Sequence, residues 1–258
     1  MPDYRPLLLL AAIAALTIGL PLALYALLTR KQRAAMHAIR DSARTRGWSF
    51  RMRHWTGNPA ACRMDGRSRS GLAIIIKTGS ARGYDPGWNA TLTVRFPDMA
   101  GEPDVAVLPR SASRSSGITL RGVSPDIQAK VAAFSGLAAS AIKLMREGKE
   151  SPSGFAPFDK MYQVASLGVS WQPLVDPRLA ERIISWPNDI VALHTLLAWR
   201  DPFGFYLEAR LPASPNWATI SYTVSLAEDL CARLPAGRTV SQPRGFLDQL
   251  LMGIIGRR

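Results

Sequence analysis

Three histidines, His37, His54 and His194, have the widest chemical range in this chain, and each is isolated in sequence. No His-Glu-x-x-His pair and no zinc-type Cys/His spacing occurs, so no metal ligand set is legible. There is no phosphate loop, no Gly-x-Gly-x-x-Gly turn and no Gly-x-Ser-x-Gly elbow. The chain therefore lacks the motif-borne cradles for nucleotides and the strained turn that presents a serine nucleophile. An active site would need the fold to gather His54 or His194 with a carboxylate such as Asp159, Asp176 or Asp189. No catalytic residue, cofactor-binding residue or metal ligand is assigned, and no cofactor is expected.

Lys77-Thr-Gly79, Ser140-x-x-Lys143 and Ser214-x-Asn216 match the three tags of the penicillin-binding and serine β-lactamase group. The order is wrong, because Lys-Thr-Gly comes first here. Ser140 also falls in mid-helix by periodicity, where that group's serine opens its helix. The acyl-enzyme reading is rejected. Nucleic acid is disfavoured as well. Trp48, Phe50 and Trp55 interleave with Arg51, Arg53, Arg63, Arg67 and Arg69, but strand alternation sends aromatics and bases to opposite faces. A stacking platform needs both on one face.

What must position these residues starts with Leu7–Leu28, twenty-two residues without a charge. As a helix it would cover the roughly 30 Å of a bilayer core. It is apolar all round, unlike a core helix, and its front is a poor signal-peptide n-region. Pro21 should kink it. Arg30, Lys31, Arg33, Arg40, Arg44 and Arg46 follow, against Asp41 alone. Such a flank stays cytoplasmic. The expectation is a single-pass protein of a bacterial inner (plasma) membrane, N-terminus outside and C-terminal domain in the cytoplasm. The six basic residues are the candidate membrane-surface site, and the lipid bilayer with its anionic headgroups is the candidate partner. Another membrane or cytosolic protein is a second candidate. Of a net charge of +13, the segment Arg30–Lys77 holds twelve basic and two acidic residues, a local basicity that suits anionic lipid. Cys62 and Cys231 have no CxxC partner and read as free, packed thiols.

The expected organisation is a transmembrane anchor over 1–29, a basic juxtamembrane helix over 30–47, and two α+β halves over 48–150 and 151–258. Gly47 stops the basic helix. Trp48–Trp55 alternates as a half-buried strand. Ala61–Met64 reads as a short strand before an Asp65-Gly66 turn, and Leu72–Lys77, Asn89–Phe96 and Val105–Leu108 as strands. Ser124-Pro-Asp caps a helix running to Met145, and Glu150–Pro157 reads as linker. Phe158–Leu167 contains a strand, and Asp176-Pro177 caps a short helix. Ile190–Trp199 and Phe203–Leu211 form a hairpin. Ser214-Pro215 opens a segment to Leu234 with both helical and strand periodicity, and cap and length decide for helix. Pro243–Ile255 is a final amphipathic helix.

The runs RGWSF after a basic helix, FDKMYQV, and LVDPRLAERI before a hairpin and helix carry a resemblance. They resemble a group of bacterial single-span membrane proteins whose soluble part is a domain of unknown function, over about Ala34–Leu234. The resemblance implies an α+β domain on a membrane anchor and supplies no active site. The fold class expected is α+β: one N-terminal transmembrane helix, then antiparallel sheet with packed helices. The function expected is non-catalytic binding or scaffolding at the cytosolic membrane surface. The alternative is a membrane-tethered, hydrolase-like enzyme whose site assembles only in three dimensions.

Overall fold

The computed structural model describes residues 15–54, 61–80, 90–101, 104–110, 144, 147–167, 174–186 and 195–234. A π-helical turn, Ala15–Gly19, leads into α1, Leu20–Thr45. Pro21 stands at the start of α1, where its missing N–H interrupts least. Gly47 ends the helix at φ +72°, a conformation that side chains disfavour.

The anchor is corrected here. Among the described residues no helix is long and apolar enough to cross a membrane. From Ala15 only fourteen uncharged residues precede Thr29 and Arg30, about 21 Å of helix against a core of roughly 30 Å. α1 then continues as a charged, amphipathic helix whose Met36, Ile39 and Ala43 are buried in the domain. Leu7–Ala14 lies outside the described residues. The transmembrane helix in the expected fold class falls with this finding. So do the membrane, transmembrane and single-pass designations and the inner-membrane, N-outside placement.

The body of the fold is one nine-stranded sheet in the order β1-β2-β3-β4-β9-β8-β5-β7-β6. The strands are β1 Ser49–His54, β2 Ala61–Arg67, β3 Ala73–Ser80, β4 Ala90–Phe96, β5 Val105–Pro109, β6 Lys149–Glu150, β7 Tyr162–Ser166, β8 Thr195–Asp201 and β9 Gly204–Leu211. Every pairing is antiparallel. β1 to β4 form a meander. β4 then pairs with β9, so the chain crosses past two strands before β5 and the β8–β9 hairpin closes the gap. Strands from both sides of residue 150 thus share one sheet.

Among the described residues three further helices follow: α2 Ala156–Met161, α3 Pro177–Ile184 and α4 Trp217–Cys231. The ambiguous segment is helical, as cap and length favour. Its cap is Asn216, whose Oδ1 accepts from Thr219 N at 2.7 Å. Asp176 caps α3 in the same way through Leu179 N, also at 2.7 Å. The strand expected within Phe158–Leu167 begins at Tyr162, and Met161, counted in its alternation, instead ends α2. Phe158 and Tyr162, one helical turn apart, stack with centroids 5.1 Å apart, which places both in the core. Glu150, read as the start of a linker, belongs with Lys149 to the edge strand β6. The Asp65-Gly66 turn is replaced by strand. β2 runs on to Arg67, and the chain turns at Ser68–Gly71, with Gly71 at φ +82°. The helix expected up to Met145 and the one at Pro243–Ile255 fall on residues outside the described set, apart from Leu144.

α1, α3 and α4 cover one face of the sheet. Ile220, Val224, Ala227 and Leu230 of α4 and Leu179 and Ile183 of α3 meet Leu92, Val94, Leu207 and Ala209. Each such side chain contributes roughly 1.5–3 kcal/mol by leaving water. Cys62 and Cys231 are free and buried in this core, and burial pushes both thiols up from their ordinary value. On the other face Ala106, Leu108, Leu197 and Trp199 form a smaller cluster with Leu144. Towards β1 that second face reaches solvent.

Candidate functional site

Period-two alternation decides which side chains share the solvent-reaching face. In β2, Cys62 and Met64 are buried while Arg63 and Asp65 are half-exposed. In β4, Leu92 and Val94 are buried while Thr91, Thr93 and Arg95 lie opposite. The register then joins residues no sequence window holds together. Arg51 pairs with Arg63 and Arg63 with Lys77, so three cations stand in one row across β1, β2 and β3. Lys77 pairs with Thr93 and Thr93 with Glu208, which continues the row onto β9. The neighbouring row runs Ile75, Arg95, Tyr206, Trp199.

Like charges directly opposite one another across strands destabilise a sheet. The fold offsets this locally. Arg63 Nε donates to Asp65 Oδ1 at 2.8 Å and to Oδ2 at 3.0 Å. Arg95 Nε donates to the Phe203 carbonyl at 3.1 Å, and its guanidinium lies 5.3 Å from the Tyr206 ring centroid. Tyr206 stacks on Trp199 with centroids 5.1 Å apart and planes 3° from parallel. Glu208 sits beside Arg210, and burial raises its carboxyl above the ordinary value despite that arginine. Burial likewise pushes the Tyr206 phenol up to about 12, with Asp201 adding to the shift. Arg51 and Lys77 are exposed. With Arg67 and Arg210, this face carries, among the described residues, six cations against Asp65 and Glu208 from β1 to β4 and β9.

The six residues expected to meet a membrane surface lie elsewhere. All are on α1 or directly after it, and α1 packs on the opposite side of the sheet. Arg30, Arg33 and Arg44 are exposed, while the Lys31 side chain lies outside the described set. Arg40 Nε donates to Asp41 at 3.0 Å. Arg46 is a structural clasp. Its guanidinium lies 5.3 Å from the Trp48 ring and 5.2 Å from the Trp217 ring, and Nη2 donates to Ser221 Oγ at 2.8 Å. It ties the end of α1 to α4.

The residues considered for catalysis are not drawn together. His37 is exposed on α1. The His54 side chain, His194 and Asp189 lie outside the described residues. Asp159 Oδ1 accepts from Ser153 N at 2.9 Å and Ser153 Oγ at 2.8 Å, which shapes the turn before α2. Asp176 caps α3 and takes Arg233 Nη2 at 2.8 Å. Trp48 is buried and Phe50 packs on the core, while Arg51 is exposed, so these aromatics and Arg51 do face opposite ways. Among the described residues no group of three or more His, Cys, Asp or Glu could hold a metal ion.

Sequence reasoning missed Lys77, Arg95 and Arg210 as partners of Arg51 and Arg63. The Arg63-x-Asp65-x-Arg67 alternation was the available signal for a polar strand face, and reading Gly66 as a turn hid it. No family model matches the chain, and no curated protein matches it. Among solved structures it is similar to the crystal structure of the mycobacterial trehalose monomycolate transport factor A, TtfA. The identity is 12%, over 79% of this chain and 98% of that one, with a TM-score of 0.35. So slight a likeness carries nothing about function.

Proposed function

We propose that this protein is a non-catalytic binding module whose basic sheet face takes the phosphate-bearing headgroups of an anionic lipid. The observation that carries the reading is the row Arg51–Arg63–Lys77, three cations in register on adjacent strands. Asp65 offsets Arg63 within the sheet, while Arg51 and Lys77 on either side are exposed, which places the row to meet an anionic partner. Thr91 and Thr93 flank the row with hydroxyl donors. Ile75 and Tyr206, both half-buried, offer apolar and aromatic surface beside it. A charged headgroup with adjoining hydrocarbon matches both. Each cation near such a surface contributes about 1 kcal/mol, so the row supplies about 3 kcal/mol, on the order of a hundredfold in affinity.

The test compares the full chain with an Arg51→Gln/Arg63→Gln/Lys77→Gln variant on phosphatidylglycerol and phosphatidylcholine vesicles. The variant should lose on the order of a hundredfold in affinity for the anionic vesicles and keep its binding to the neutral ones. Removing like charges should leave its melting temperature equal or higher at low salt. Equal binding of both proteins to phosphatidylglycerol would refute the reading.

A further inference from the structure

On the helix side of the sheet, α3 and α4 bound a cleft of about 180 Å³ lined by Arg178, Leu179, Arg182, Asp229 and Arg233. That is more than ten times the roughly 10–15 Å³ that one water needs. Arg182 is held on three sides. It pairs with Asp229, Nη2 donates to Ser225 Oγ at 3.1 Å, and its guanidinium lies 6.0 Å from the Tyr222 ring centroid. The Tyr222 hydroxyl in turn donates to the Ser185 carbonyl at 3.1 Å. Arg233 Nη2 donates to Asp176 at 2.8 Å, and this arginine holds the Asp176 carboxyl below its ordinary value. Arg178 lines the cleft and makes no ion pair or hydrogen bond with the described residues.

We infer that this cleft is a site for a phosphate group, either free or carried as a monoester by a small molecule. A network serving only to join α3 to α4 is complete with two pairs, Arg182 to Asp229 and Arg233 to Asp176. Arg178 adds no hydrogen bond to that network, and its charge acts on Asp176 only through space, alongside Arg233. The cleft sets three guanidinium groups against two carboxylates, and the planar Arg178 fork donates to no described residue. Such forks grip a tetrahedral oxyanion two bonds at a time, which a lysine point charge does not. The first turn of α3, where Arg178 sits, adds the partial positive charge of a helix start. The rigid Arg182 and Arg233 side chains need little ordering on binding, which favours a small ligand.

Titration calorimetry on the full chain tests this with sodium phosphate and with glycerol 3-phosphate, chloride being used to match ionic strength. Saturable one-to-one binding is expected for at least one of them. Arg178→Gln should weaken it about tenfold or more without changing the melting temperature of the unliganded protein. Tighter binding of glycerol 3-phosphate assigns the site to a monoester; equal or tighter binding of phosphate assigns it to the free anion. No saturable binding of either, or the same affinity in Arg178→Gln, overturns the inference. The site is independent of the sheet face, so the Arg51/Arg63/Lys77 variant should bind phosphate like the wild type.

Discussion

Gly66 is a demanding position in the fold, and Gly66→Ala reads out how the first strands carry α1. A Cβ there would stand 2.0 Å from Cδ1 of Trp48, 2.6 Å from Cγ and 2.7 Å from Nε1. Ordinary carbon contacts lie at about 3.5–4.0 Å, so the indole must retreat by roughly 1.5 Å. It is 5% exposed and packed in the core. Overpacking of this kind costs about 1–3 kcal/mol. The retreat also strains the hydrogen bond from Trp48 Nε1 to the Arg67 carbonyl, now 3.0 Å, worth about 1 kcal/mol. It loosens the Arg46 clasp between Trp48 and Trp217 as well. Alanine regains about 0.5–1 kcal/mol through a less flexible unfolded chain. The expected net loss is about 1–3.5 kcal/mol, measured as a shifted urea midpoint by circular dichroism. Trp48→Leu removes the obstacle, so Gly66→Ala should cost far less in that background than in the wild type. Additive losses in the double variant, or a Gly66→Ala protein within about 0.5 kcal/mol of wild type, would refute the packing argument.

Two further outcomes follow from ion pairs. Arg200, 5% exposed at its side chain, pairs with Asp104 ahead of β5, with Nε to Oδ1 at 2.8 Å. Asp104→Ala should cost roughly 3–5 kcal/mol by leaving a buried cation, and Asp104→Leu with Arg200→Met should recover most of it; denaturant midpoints of the three proteins decide. Asp176 has its folded pKa lowered, first by Arg233 and then by the Leu179 N–H. A carboxyl so shifted stabilises the fold above its unfolded pKa, and the contribution is lost as pH falls through the folded value. The stability gap between wild type and Asp176→Asn should therefore be flat above about pH 5 and close below about pH 4. A gap that widens on acidification would count against the pairing.

Local chemistry was legible wherever one strand or helix decided it. The alternation in Ala90–Phe96, the Asp176-Pro177 start of α3, the glycine at 47 and the inward aromatics of β1 all follow from spacing and side-chain type. The apolar run Leu7–Leu28 is also plain as a sequence. Its reading as an anchor did not carry over, because the described helix takes in only the end of that run. α1 then spends its length on charged turns and a buried stripe. The sheet order lay beyond local reading. β4 pairs with β9 across more than a hundred residues, and nothing near either strand announces it. Gly66 misled for a physical reason. It is needed for the room Trp48 requires, not for a turn, and only the packed indole reveals that. The basic row had the same origin. Arg51, Arg63 and Lys77 are dispersed in sequence, and antiparallel register alone makes them neighbours. Arg178 and Arg182 lie one turn apart on α3, but Arg233 joins them only because α3 and the end of α4 pack together. Charge was set by composition, but its convergence was set by tertiary structure, because side chains act on a ligand through distance in space.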